Sequence, residues 1–133
     1  MTSEELNEVW RIRNAIFNAE KALEIWRRAE ALQIPKRDGL PKSHSVDSRV
    51  ERIAIKIADA SRHVDDLKAE LLAAQIRLEN QICDEVPDLT EQAVLIYRYV
   101  DCMYFRDIAL TMGYSEAHIY YLHRITCEKL IVD

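Results

Sequence analysis

Residues 104–123 read YFRDIALTMGYSEAHIYYLH. The stretch holds Gly113, one of two glycines in the chain, between two runs whose apolar residues follow helical spacing. Glycine in a helix interior costs about 1 kcal/mol relative to alanine, so its placement here predicts a corner between two short helices. From Phe105 to Arg124 the residues fit a helix-turn-helix. Ala109 stands where the helices cross closely and a small side chain is needed, and Gly113 stands where the turn needs positive φ. Ile108, Met112, Tyr114, Ile119 and Leu122 take the positions of a shared core, and Ser115 is placed to cap the second helix.

On that second helix, Ser115 to Leu130, the residues Ile119, Leu122, Thr126 and Leu130 fall on the inward face. Ser115, Glu116, Ala117, Tyr120, Tyr121 and Arg124 fall outward, with His118 at the boundary. Arg124 suits phosphate or guanine, the tyrosines suit phosphate or thymine methyl groups, and Glu116 suits the amino group of cytosine. These seven residues are the expected DNA-reading set.

Upstream, EVPDLT (85–90) breaks a helix at Pro87 and offers Asp88 or Thr90 as the next N-cap. EQAVLIYRYVDCM (91–103) then reads as a helix apolar on most sides, the buried element of the C-terminal section. Before it, Val50, Ile53, Ile57, Ala60, Val64, Leu67, Leu71, Ala74 and Leu78 alternate steps of three and four. This heptad seam predicts coiled-coil packing along a helix from about 46 to 85, roughly 60 Å long. A first helix over 3–33, with Val9, Ile12, Ile16, Ala19, Leu23 and Trp26 on one face, pairs with it as an antiparallel hairpin. The first helix is the shorter, so part of the seam is expected to meet a second copy. Val50, Ile53, Ile57, Val64, Leu67, Leu71 and Leu78 are the expected oligomerisation residues, with a dimer favoured.

Between the two helices lies IPKRDGLPKSHSVDS (34–48), the linker of the chain. Its Lys36, Arg37 and Lys42 are candidate phosphate contacts. The expected organisation is thus all-α: residues 1–86 form a helical hairpin with a loop at about 34–48, and residues 87–133 form a small helix-turn-helix domain.

Composition agrees with an all-helical chain. Two glycines and three prolines in 133 residues are too few for a turn-rich β fold. The net charge is −5, the wrong sign for a protein that coats nucleic acid. Its distribution is uneven, because residues 27–62 carry nine basic against five acidic side chains. No run of eighteen apolar residues exists, and the N-terminal MTSEELNEVW lacks the basic and apolar regions of a signal peptide, so a cytoplasmic protein without membrane contact is expected. Cys83, Cys102 and Cys127 are widely spaced and read as small buried hydrophobic residues in a reducing compartment. His123 and Cys127 stand at i, i+4, but zinc normally needs four ligands and no second such pair is present, so no metal and no cofactor are expected. No Gly-rich phosphate loop, GxSxG or HExxH occurs, and an enzyme is not expected.

AVLIYRYVDCMYFRDIALTMGYSEAHIYYLHRITCEKL (93–130) resembles the sigma-70 region 4-like helix-turn-helix of phage and prophage proteins, a family that includes the ArpU and RinA types of late-gene transcription regulator. VERIAIKIADA (50–60) and the loop before it resemble the helical N-terminal part of that family. The resemblance implies that 115–124 reads DNA in a bacterial host cell, and that Arg98 is structural and pairs with Asp107. It makes a non-catalytic DNA-binding transcription regulator the leading expectation, with double-stranded DNA as partner. Two alternatives stand beside it. The acidity suits an interaction module that binds RNA polymerase or another regulator with little DNA affinity, and the joining of helix-turn-helix to coiled coil also suits a phage packaging or scaffold component.

Overall fold

A computed structural model describes residues 1–32 and 44–133. Among the described residues the chain is all-α, with no strand. The elements are α1 (Ser3–Leu6), α2 (Glu8–Leu32), α3 (His44–Glu85), α4 (Leu89–Leu95), a π turn (Ile96–Val100), α5 (Phe105–Met112) and α6 (Glu116–Leu130). No helix among the described residues is long and apolar enough to cross a membrane. The chain divides into two compact units: a hairpin unit of 14–69, and a terminal unit of 1–13 with 70–133.

In the hairpin unit the apolar stripe of α2 lies along the seam of α3. Leu23, Ile53 and Val64 are buried, and Ile16, Ala19, Trp26, Ile57, Ala60 and Leu67 are half-buried. The helices run antiparallel, since Glu20 pairs with Lys68 at 3.4 Å while Trp26 shares a groove with Ile53. That ion pair is exposed and adds little, so the stripe holds the unit together.

The terminal unit starts on α1, whose N-cap Thr2 and Glu5 form a capping box. Leu6, Val9 and Ile12 are buried, as are Ala74, Leu78, Ile82 and Val86 from the end of α3 and Val94, Leu95, Tyr99 and Val100 after it. Asp88 caps α4 by accepting from Glu91 N at 2.9 Å. The helix then widens into the π turn, in which Asp101 N donates to Ile96 O at 3.0 Å. This wide turn turns carbonyls toward other segments of the unit. Arg98 O accepts from Trp10 Nε1 at 2.9 Å, and Val100 O accepts from Gln75 Nε2 at 3.2 Å. The turn ends on Cys102 at φ 56°, a left-handed conformation that a side chain disfavours.

Two expectations change here. The division expected after residue 86 falls instead at 13/14 and 69/70, because Trp10 and Gln75 are tied to backbone carbonyls of the π turn and the apolar residues around them enter the C-terminal core. The α3 seam is also covered by more than the first helix, since its end packs within the terminal unit. Leu71 is half-buried and Ala74 and Leu78 are buried in the terminal unit, Ile53 and Val64 are buried and Ile57 and Leu67 half-buried in the hairpin unit, and Val50 alone of the nine is exposed. The reason is that the C-terminal section takes up the stretch beyond the reach of the first helix.

Candidate nucleic-acid interface

The corner between α5 and α6 is built on Gly113, at φ 74° and ψ 26°. Its N–H and that of Tyr114 both donate to Ala109 O, at 2.9 and 3.1 Å, so the carbonyl freed at the helix end is satisfied twice. Ser115 then caps α6 by accepting from His118 N at 3.2 Å. Val94, Ile108, Ala109 and Ile119 form the buried core of this corner, with Tyr97, Met103, Phe105, Met112 and Leu122 packed around it. Thr126 is buried but satisfied, donating to Leu122 O at 2.7 Å. Leu130 completes the inward face.

All seven expected reading residues, Ser115, Glu116, Ala117, His118, Tyr120, Tyr121 and Arg124, are exposed. They form one face of α6 at the outer side of the corner. His118, expected at the boundary, belongs to this face. Its ring meets Tyr114 edge-on at 5.0 Å and stacks on Tyr121 at 6.2 Å, and the Arg124 guanidinium lies 5.7 Å from the Tyr121 ring. Tyr120 packs on Phe105 at 4.5 Å, which limits its freedom and leaves its outer side open. Arg124 also stands 3.7 Å from Glu128, an exposed pair that a phosphate can displace cheaply.

Tyr114 corrects an expectation. It is exposed, and its ring lies against His118 instead of in the shared core, because the left-handed Gly113 turns the chain outward just before it. Met112 and Leu122 fill the space. Arg98 is structural as expected, but its partner differs. The guanidinium sits 4.8 Å from the Trp10 ring and 4.4 Å from the Phe105 ring, and donates to Met103 O at 3.0 Å, with no ion pair to Asp107. Cation–π contact on two rings replaces a carboxylate there. Lys36, Arg37 and Lys42 lie outside the described residues.

Sequence reasoning missed a polar cluster behind the exposed face of α6. The Tyr99 hydroxyl and His123 Nε2 share a hydrogen bond at 2.6 Å, and Cys127 Sγ lies 3.5 Å from the same nitrogen. Phe105 meets the His123 ring edge-on at 5.0 Å. Burial, with help from the Arg98 cation, holds His123 below its ordinary value, while burial pushes the Tyr99 hydroxyl and the Cys127 thiol up. Neutral imidazole is therefore the form that shares the hydrogen bond with Tyr99. His123 and Cys127 were visible as an i, i+4 pair, but nothing in the spacing placed Tyr99 beside them.

This cluster sets a pH dependence. The unfolded chain binds a proton at His123 more readily than the folded chain, so stability is complete above about pH 6.5 and is lost as pH falls from there toward the lowered folded value. Thermal melts from pH 7.5 to 5 are expected to show a loss that His123→Gln makes smaller. An unchanged pH profile in that variant would remove His123 as the cause.

No family model matches the chain, and comparison with curated proteins and with solved structures finds no match.

Proposed function

We propose that the chain is a non-catalytic DNA-binding regulator that places α6 in a major groove. One observation carries this reading: the whole outward set from Ser115 to Arg124 is exposed on a single helix, held rigidly by a left-handed glycine corner and a capped N-terminus. A helix so presented has the shape and the side chains for base-edge and phosphate contact. The resemblance of 93–130 to phage and prophage regulators supports the same reading, and with it a bacterial cytoplasm as the place of action. Two copies acting on paired half-sites are part of the proposal, since one weak reading surface gains from a second.

A second reading has its own support. The exposed set holds three tyrosine rings, counting Tyr114, against one arginine, and Arg124 has Glu128 beside it. Such a surface also suits a protein partner such as RNA polymerase. Gel-shift titration on duplexes from the gene's own genomic neighbourhood separates the two and counts copies per duplex. Arg124→Ala and Tyr121→Ala are each expected to weaken specific binding by roughly 1–3 kcal/mol, about tenfold or more, with helicity unchanged. If neither alters DNA binding, and both abolish capture of purified RNA polymerase, α6 is a protein interface and the DNA reading is wrong.

A further inference from the structure

The nine basic residues of 27–62 are not accounted for by α6, and three of them, all on described helix, share one groove. Arg49, Arg52 and Lys56 occupy one side of α3 at i, i+3 and i+7, around the buried Ile53. With Trp26 and Ala29 of α2 they line a groove of about 320 Å³. All three cations are exposed, and none takes part in an ion pair among the described residues.

Their arrangement works against the helix that carries them. Like charges at i, i+3 or i, i+4 destabilise a helix by about 0.2–0.5 kcal/mol per pair, and both Arg49 with Arg52 and Arg52 with Lys56 are such pairs. No acidic residue stands four positions from any of them, and Asp59, beside Lys56, is the one acid three positions away. The rest of the chain, outside 27–62, carries nine basic against eighteen acidic residues. Within this basic segment the groove brings three cations together on one side of α3. Seven residues of helix rise about 10 Å, close to three phosphate-to-phosphate steps of about 3.4 Å along one DNA strand. The half-buried indole of Trp26 supplies an apolar wall for a sugar or base between them.

We infer that the groove formed by Trp26, Arg49, Arg52 and Lys56 is a second nucleic-acid contact, one that grips a phosphate backbone without reading its sequence. The inference rests on the DNA-binding reading of the chain and assigns its electrostatic anchoring to the hairpin unit. α6 then discriminates among sequences while this groove supplies affinity. The groove is built from described helices and makes no use of Lys36, Arg37 and Lys42.

The test is fluorescence anisotropy on two duplexes, one bound specifically and one of scrambled sequence, across a salt series with the full chain. Arg49→Gln/Arg52→Gln/Lys56→Gln is expected to lower affinity for both duplexes alike. The slope of log affinity against log salt should fall by about 0.9 for each phosphate no longer neutralised, up to about 2.7. Tryptophan emission should be quenched by either duplex, and Trp26→Phe should remove that quench while Trp10 still emits. Circular dichroism guards against unfolding, and all three substituted cations are exposed. If the triple variant keeps its slope while the α6 variants lose specific binding, the groove is overturned and the DNA reading stands. If the triple variant loses binding while the α6 variants keep full discrimination, the groove stands and the reading role of α6 falls. Absence of binding to any duplex overturns both.

Discussion

Trp10→Ala will lower the stability of the terminal unit by about 2–4 kcal/mol, far more than its place near the N-terminus suggests. Its indole N–H satisfies Arg98 O, and its ring stacks on the Arg98 guanidinium that also covers Phe105. Removing the indole leaves a partly buried carbonyl unpaired, opens one side of the guanidinium and takes apolar cover from the π turn. The neighbouring Val9 and Ile12 stay in place, so the loss should be local and cooperative rather than a general loosening of α2. Trp10→Phe keeps most of the stacking and drops the hydrogen bond, and about 1 kcal/mol is expected for it. Differential scanning calorimetry gives the comparison, each kcal/mol corresponding to a shift of roughly 3–5 °C for a chain of this size. A Trp10→Ala shift no larger than that of an exposed substitution such as Arg11→Ala would show that the N-terminal segment does not hold the helix-turn-helix.

Gly113→Val is expected to cost about 2–3 kcal/mol. The cause is torsional and not steric crowding: a Cβ at this position would meet nothing within 4 Å, but φ is 74° and a β-branched residue disfavours it strongly. Because Gly113 N and Tyr114 N both donate to Ala109 O, relaxing φ breaks the corner and moves Ser115 from its cap. Gly113→Asn, which tolerates the left-handed region, should lose much less, and Gly113→Ala should fall between. Ordering of the three melting temperatures as Asn, Ala, Val checks the account. Equal losses in all three would mean that backbone conformation is not what glycine supplies here.

The helix-turn-helix was legible because its constraints are local. Gly113, Ala109 and Ser115 each answer a need of the backbone within a few residues, and the structure shows all three in those roles. The outward set of α6 was legible for the same reason, since helical period alone separates Tyr120, Tyr121 and Arg124 from Ile119, Leu122 and Thr126. Tyr114 was misread because a tyrosine is apolar enough to fit either side, and the direction in which the chain leaves the left-handed residue decides which. The basic groove was visible only as a net charge over 27–62. The antiparallel pairing was needed to bring Trp26 to the side of Arg49, Arg52 and Lys56.

By itself the sequence determined the all-α class, the Ser115 cap, a cap at Asp88 or Thr90 and the glycine corner, because 3.6-residue periodicity, capping and positive φ are properties of short segments. Only the tertiary structure decided what covers the α3 seam, where the units divide, that Arg98 lies between Trp10 and Phe105, and that Tyr99 meets His123 and Cys127. Each of these depends on which apolar faces meet across long separations in the chain, and on a π turn that shifts the register of Tyr99 and Val100. A period read along one helix carries no record of the partner that will bury it.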